Sequence, residues 1–91
     1  LDGKMRLTQT VQFKRDMKRQ IKKGKDPKKL IKILEFLIGE NALPSGYLDH
    51  PLKGRWKGRR DCHIESDWVL IYRVSKNERR LERTGSHSDL F

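Results

Sequence analysis

A chain of 91 residues with a formal net charge of +10 is large enough for one small core, so we expect one domain spanning residues 1–91. Its only cysteine is Cys62, which excludes an internal disulfide and favours a reducing, cytoplasmic setting. There is no apolar run long enough to predict a membrane span or a secretory signal. Residues 1–4, which begin without methionine, are predicted to be disordered or foreign to the native chain.

The positive charge is concentrated in the N-terminal third of the chain. Residues 4–32 contain twelve lysines or arginines and two aspartates, whereas residues 33–91 contain ten basic and nine acidic side chains. A field of this kind attracts polyanions, so we expect a nucleic-acid or acidic-protein partner. The alternative is a solvated helix face on which lysine serves only as a helix-favouring residue.

The first predicted elements are a short edge strand and a basic helix. Residues 5–9 alternate weakly in polarity, and Thr8 or Thr10 is suited to cap the helix that follows. The helix is predicted to end near Gly24. Its apolar positions recur every four residues and form a narrow stripe, at Phe13, Met17 and Ile21.

A second helix is predicted to begin at Asp26 and Pro27, because a capping carboxylate followed by proline is a strong start signal. It should end around residues 39–41. Its core-facing stripe consists of Leu30, Ile33, Leu34 and Leu37, widened by Ile31, Phe36 and Ile38. The short link at residues 23–25 predicts an antiparallel helical hairpin.

The second half of the chain predicts loops and strands. Residues 42–53 contain two prolines and a glycine and should form a loop that carries His50. A brief strand is predicted at 55–57. Three longer strands are predicted from period-two patterns and apolar runs, at Arg60–Glu65, Trp68–Val74 (the central strand) and Arg79–Thr84.

The end of the chain combines a strand break with a helix-capping signal. Gly85 should break the last strand, and Ser86 can cap a terminal helical turn. Alternation places Arg83 on the same face as Leu81, so the strand must end or bulge between them unless Arg83 lies at the rim. The predicted fold class is α+β, with an N-terminal helical hairpin packed on one face of a small, mainly antiparallel β-sheet.

The candidate chemistry lies in the sheet-forming half. RNA cleavage by transesterification needs an acid, a base and a cation for the phosphate, roles that suit histidine and arginine, while an aromatic ring can stack on a nucleobase. The candidate catalytic residues are His50, His63, Asp67, Arg83, His87 and Phe91. For Trp68 a core position is favoured over base stacking, and alternation places Cys62 beside Ile64 in the core.

A metal site is the competing interpretation of the same histidines. Three histidines and an aspartate suit zinc, but the sequence has no close ligand pair such as two histidines four residues apart, and the surroundings are basic. We therefore predict neither a metal nor a cofactor.

Five segments resemble the YafQ branch of the RelE toxin superfamily. They are Asp49–Gly54, Arg60–Ile64, Asp67–Tyr72, Arg83–His87 and Leu90–Phe91. The resemblance implies a RelE-like microbial RNase fold and a ribosome-dependent endoribonuclease that cleaves mRNA in the decoding site without metal. It also implies a cognate antitoxin that blocks the toxin, with operator DNA contacted only through that antitoxin.

The resemblance also suggests a role for each matching position. His87 would be the general acid, Asp67 or His50 the general base, and Arg83 the clamp on the scissile phosphate. His63 would orient the substrate or share proton transfer, and Phe91 would position the base. Contacts with ribosomal RNA are expected from basic residues, namely Lys14, Lys18, Lys22, Arg55 and Lys57.

Two other functions remain open at this point. The chain would be a non-catalytic, basic RNA- or DNA-binding module if its charge alone were used. It would be an inactive toxin homologue if it acted only with its antitoxin in repression. Substituting His87 separates both from the nuclease, because only the nuclease needs the imidazole.

Overall fold

The computed structural model describes residues 5–39 and 41–91, and the expectation for residues 1–4 lies outside that range. The described residues form an α+β fold with a helical hairpin before the longer strands, as the sequence predicted. The helices are α1 (Val11–Lys22), α2 (Pro27–Ile38) and α3 (His87–Leu90). The strands are β1 (Arg6–Gln9), β2 (His50–Pro51), β3 (Arg60–Glu65), β4 (Trp68–Ser75) and β5 (Glu78–Gly85).

The sheet has the strand order β1-β5-β4-β3-β2, so β4 is central and β1 lies at an edge, as expected. Strands β2 to β5 pair antiparallel, whereas β1 pairs parallel with β5. The sheet is therefore mainly antiparallel, and three consecutive strands, β3, β4 and β5, form its meander.

Both long helices begin at capping side chains that the sequence identified. The Thr10 hydroxyl accepts the Phe13 N–H at 2.9 Å, and the Asp26 carboxylate accepts the Lys28 N–H at 3.0 Å. Pro27 occupies the first turn of α2, where its missing N–H costs no hydrogen bond. Local chemistry alone thus fixes where each helix starts.

The predicted stripe on α1 is partly wrong. Phe13 is buried and Met17 is half-buried, but Ile21 is 49% exposed. Asp16 and Gln20 are buried in its place. For Asp16 the cause is that α1 lies along the edge of β5, where the Thr84 N–H needs an acceptor that an apolar side chain cannot supply.

The stripe on α2 is narrower than predicted. Leu30, Ile33 and Leu37 are buried, and Leu34 packs against them from a half-buried position. Ile31 and Ile38, which were expected to widen the stripe, are 52% and 42% exposed. Two turns of a helix place only three to four residues on the face that packs against the sheet, so the other apolar residues of α2 point away from it.

Two predictions between residues 42 and 57 need correction. His50 does not lie in a loop but in the two-residue strand β2, where it pairs with Asp61. The segment predicted as a strand at 55–57 contains instead a 3-10 turn, Gly54–Trp56. Both elements are too short to give a periodic pattern in the sequence.

A β-bulge at Glu82 resolves the conflict over Arg83. Tyr72 of β4 faces Leu81, but the preceding Ile71 faces Arg83, so Glu82 is the extra residue. Leu81 therefore joins the helix-covered core with Tyr72. Arg83 shares a row with Ile71, which belongs to the other face of the sheet.

The two faces of the sheet bury different clusters. The helix-covered face contains most of the core, including Trp68, Cys62 and Ile64, and burial raises the pKa of the Cys62 thiol. On the opposite face Val69 and Ile71 pack against Leu90 and half-buried neighbours, so α3 covers only a small apolar patch. No helix in the described part of the chain is both long and apolar enough to cross a membrane.

Candidate active site

The terminal helix brings His87 to Asp67, which lies in the turn between β3 and β4. Ser86 caps α3 by accepting the Asp89 N–H, and the Asp89 carboxylate accepts the Ser86 N–H, each at 3.2 Å. In the resulting position the His87 backbone N–H donates to Asp67 Oδ1 at 2.9 Å, and His87 Nδ1 donates to the same oxygen at 2.8 Å. These hydrogen bonds from His87 lower the pKa of the Asp67 carboxyl.

The chain is closely packed where β5 meets α3. A Cβ atom on Gly85 would lie 3.1 Å from both Cβ and Oδ2 of Asp89. The close approach lets α3 fold back over the sheet immediately after β5. The glycine predicted to break the strand is in fact its last paired residue, opposite Val69.

His63 and Phe91 flank the His87 ring. The centroids of the His63 and His87 rings are 5.0 Å apart, and those of His87 and Phe91 are 6.2 Å apart. His63 projects from β3, and Phe91 is 57% exposed directly after α3. Three of the predicted site residues therefore form one accessible row of rings, with Asp67 bonded to the central ring.

His50 joins this region through Asp61. The His50 Nδ1–H donates to the Leu48 carbonyl at 2.8 Å and lies 3.1 Å from Asp61 Oδ1. Because Nδ1 faces two acceptors, it carries the proton in the neutral ring, and Nε2 has the free lone pair.

Asp61 is a residue that the site prediction missed. It is 3% exposed; burial raises the pKa of its carboxyl, and the nearby imidazoles of His50, His63 and His87 oppose that shift. The signal was present, since the alternation in β3 puts Asp61 on the same face as His63. A carboxylate within reach of three histidines is an electrostatic partner for the whole cluster.

Arg83 is held by a different helix. Its Nε and Nη2 atoms donate to Oδ2 and Oδ1 of Asp16 at 2.7 and 3.3 Å, and these bonds raise the pKa of the guanidinium. In the described residues no hydrogen bond or ion pair joins Arg83 to a histidine. Four of the candidate residues therefore lie close together, namely His63, Asp67, His87 and Phe91. His50 lies near them through its contact with Asp61, whereas Arg83 is bound to Asp16 of α1.

The predicted RNA-contacting residues are all exposed. Lys14, Lys18 and Lys22 recur every four residues along α1. Arg55 and Lys57 lie at a 3-10 turn on another part of the chain, where the Arg55 guanidinium lies 5.6 Å from the Trp56 ring. The basic surface thus has two separate parts.

A cleft of about 470 Å³ lies on the helix side of the sheet, and a second cleft of about 510 Å³ opens beside His63. The second is lined by Gly46, Tyr47, Leu48, His63, Ile64, Glu65 and Ser66. It adjoins the row of rings at His63. Within residues 5–39 and 41–91 no three acidic, histidine or cysteine side chains are arranged to hold a metal ion.

Fold and family comparison together define the class of the protein: a small bacterial toxin of a type II toxin–antitoxin system. The family model described as "Bacterial toxin of type II toxin-antitoxin system, YafQ" matches residues 5–91. The chain belongs to this YafQ toxin family, and the resemblance found in the sequence is confirmed.

Three known proteins are similar to this chain in sequence or structure. The chain is 47% identical over 81 residues to the mRNA interferase toxin YafQ of Escherichia coli K12, covering 88% of each chain. It matches the toxin in the crystal structure of the E. coli DinJ–YafQ toxin–antitoxin complex with a TM-score of 0.90, 43% identity, and 97% and 98% coverage. It matches the crystal structure of a metal-bound toxin from Helicobacter pylori with a TM-score of 0.89, 39% identity, and 96% and 99% coverage.

Proposed function

We propose that this toxin is an mRNA interferase that cleaves mRNA in the decoding site of the ribosome. In the proposed reaction the 2′-oxygen bonds to phosphorus as the P–O5′ bond breaks, which yields a 2′,3′-cyclic phosphate and a 5′-hydroxyl. A base accepts the 2′ proton, an acid protonates the departing 5′ oxygen, and no metal takes part. The observation that carries the proposal is the row formed by His63, His87 and Phe91, with Asp67 bonded to His87.

His87 is the proposed general acid. Its Nδ1–H is fixed by Asp67, so Nε2 is the atom that faces a substrate and delivers the proton. The carboxylate stabilises the positive charge of the imidazolium before transfer and holds the ring in one orientation. Phe91, exposed beside that ring, is the proposed stacking surface for a nucleobase.

His50 is a better candidate for the general base than Asp67, the alternative that the sequence left open. Asp67 already accepts two hydrogen bonds, and its lowered pKa makes it a weak proton acceptor. His50 donates its Nδ1–H to the Leu48 carbonyl, with Asp61 Oδ1 3.1 Å from the same nitrogen, and this leaves Nε2 as the proton acceptor. His63, whose ring lies beside that of His87, orients the substrate or shares a proton.

Basic side chains make the remaining proposed contacts with RNA, and these contacts are electrostatic. Arg83 contacts the scissile phosphate, and the α1 lysines with Arg55 and Lys57 grip ribosomal RNA in the cytoplasm. By analogy with the E. coli complex we propose that a cognate antitoxin binds and blocks this toxin, and that operator DNA is reached only through that antitoxin.

Primer extension on mRNA after induction tests the activity. Wild type should produce discrete 5′ ends within translated codons, and His87→Ala should remove them while the protein still folds. Lys76→Ala, in the exposed β4–β5 turn, is the control and should cleave normally. Retained cleavage in His87→Ala would contradict the acid assignment, and retained growth arrest without cleavage would favour a non-catalytic binding module.

Metal independence is tested separately. Purified ribosomes are incubated with toxin and a chelator that removes transition metals but leaves the Mg²⁺ that ribosomes require. Unchanged cleavage is expected. Because a related toxin has been crystallised with metal, loss of cleavage that returns on adding zinc or copper would overturn this part of the proposal.

A further inference from the structure

Beyond the end of β1, the exposed edge of β5 is hydrogen-bonded by residues of α1 and its N-cap instead of by a strand. Strand β1 pairs with residues 78–81, and beyond them the chain edge has no neighbouring strand in the described residues. The Thr10 hydroxyl donates to the Glu82 carbonyl at 2.8 Å, and the Thr84 N–H donates to Asp16 Oδ2 at 3.1 Å. The N-cap residue Thr10 and Asp16 of α1 thus satisfy backbone groups that a further strand would otherwise bind.

The Asp16 carboxylate is fully occupied at this edge. Oδ2 accepts from Arg83 Nε at 2.7 Å and from the Thr84 N–H; Oδ1 accepts from Arg83 Nη2 at 3.3 Å and from Gln12 Nε2 at 3.1 Å. Asp16 is only 2% exposed. A buried charge is costly unless it is paired and hydrogen-bonded, so this carboxylate can hold Arg83 in one orientation only.

The ion pair uses one edge of the guanidinium, and the described part of the chain offers no hydrogen-bond partner to the other edge. Nε and Nη2 face Asp16, while Nη1 and the second N–H of Nη2 form the opposite, end-on edge. Because the guanidinium is a rigid plane, fixing the first edge fixes the direction of the second. The free edge has the donor spacing that binds two phosphate oxygens at once.

We propose that Asp16 is a positioning residue that aims the free edge of Arg83 at the scissile phosphate. The inference rests on the proposed nuclease function and adds to it a side chain of α1 that touches no substrate. The bulge at Glu82 contributes to this arrangement. It places Arg83 on the face of the sheet away from the helix-covered core, where its side chain is a quarter exposed.

The test is a double-mutant cycle between Asp16→Asn and Arg83→Gln. Asparagine keeps the shape and an acceptor for Thr84, but it loses the charge and presents a donor to Arg83. We expect kcat for mRNA cleavage on ribosomes to fall roughly 10- to 100-fold with little change in KM, the loss typical of a misplaced catalytic group. In the Arg83→Gln background, Asp16→Asn should cause no further loss.

The control is another helix carboxylate. Asp26 caps α2, and Asp26→Ala should lower the unfolding temperature without changing kcat. The proposal is overturned if Asp16→Asn retains the wild-type kcat, or if it lowers kcat equally with and without Arg83. A wild type that does not cleave mRNA would instead refute the proposed function itself, so the two failures are distinguishable.

A measurement on the wild type covers the case in which Asp16→Asn does not fold. In a ¹⁵N-labelled sample the Arg83 Nε–H should exchange with water at least about tenfold more slowly than that of Arg73, an exposed arginine on β4, because only the former is bonded to a buried carboxylate. Equal exchange rates for the two Nε–H groups would refute the fixed orientation and the proposal with it.

Discussion

Oδ1 of Asp67 accepts both the backbone N–H and the ring Nδ1–H of His87, at 2.9 and 2.8 Å. One oxygen therefore fixes the start of α3 and the orientation of the imidazole together. The carboxylate contributes two separable effects, its geometry as an acceptor and its negative charge.

Two substitutions at Asp67 should separate these effects. Asparagine keeps an acceptor oxygen but no charge, so we expect Asp67→Asn to slow cleavage by about tenfold, whereas Asp67→Ala removes both and should cost on the order of 100-fold, within the usual range for acid–base catalysis. Single-turnover cleavage on programmed ribosomes measures both rates. Equal rates for the two variants would show that charge, not orientation, is what Asp67 supplies.

We expect Asp61 and Asp89 to affect the pH dependence of stability in opposite directions. The pKa of Asp61 is raised from its ordinary value of 3.8 by burial, so ionisation of Asp61 opposes folding. Asp61→Asn should therefore raise the unfolding temperature at neutral pH, and the gain should vanish as the pH falls below about 4, where wild-type Asp61 is neutral in both states.

Asp89 provides the matched control with the opposite sign. Hydrogen bonds from Ser86 lower the pKa of Asp89, so its contribution to stability is present above its ordinary value of 3.8 and is lost as the pH falls through the folded-state value. Asp89→Asn should lower the unfolding temperature at neutral pH, and the difference should disappear in acid. Thermal unfolding followed by circular dichroism from pH 3 to pH 8 checks both variants. If the two variants shifted stability in the same direction at neutral pH, this account would be wrong.

Trp68 should affect stability and not cleavage. It is fully buried, and its indole N–H donates to the Thr84 hydroxyl at 2.9 Å. Trp68→Phe loses that hydrogen bond and part of the ring, which should cost about 1–3 kcal/mol of unfolding free energy. Urea denaturation measures the cost, and the cleavage rate at 20 °C should stay within about twofold if the fold is intact. A large loss of cleavage without loss of stability would instead indicate that Trp68 contacts the substrate.

The lysines of α1 should control ribosome affinity through charge. Reversing Lys14, Lys18 and Lys22 to glutamate should raise KM strongly and reduce the dependence of binding on salt, by roughly 0.7 in logarithmic slope for each RNA phosphate that the toxin no longer neutralises. The matched control makes the same change in net charge by reversing three other exposed lysines, Lys28 and Lys32 on α2 and Lys76 in the β4–β5 turn. If both sets weakened binding alike, only net charge would matter, and the assignment to α1 would fail.

The strands with strong local patterns were predictable from the sequence, and so was the site chemistry near them. Arg60–Glu65 has the predicted limits, because alternation between polar and apolar residues is a direct consequence of burying one face. The capping of α3 by Ser86 was also predictable, since Ser followed three residues later by Asp satisfies two backbone N–H groups locally. That cap is what brings His87 within reach of Asp67.

The long-range features were not predictable. Nothing near Arg6–Gln9 indicates that the strand pairs parallel with β5, some seventy residues later in the chain. The burial of Asp16, and with it the position of Arg83, depends on that pairing, because α1 follows β1 directly. The bulge at Glu82 was foreseen as one possibility, but only the register of β4 against β5 selects it.

The parallel pairing of β1 with β5 also bears on the order of folding. The β3–β4–β5 meander closes over short turns, whereas docking β1 and α1 joins Thr10 to Glu82 across 72 residues of sequence. Closing so long a loop costs more chain entropy than a hairpin turn, so we expect the meander to form in the transition state and the N-terminal segment to dock afterwards. A newly made molecule would then acquire its histidine row before its arginine is aligned, and would become toxic only at the last step.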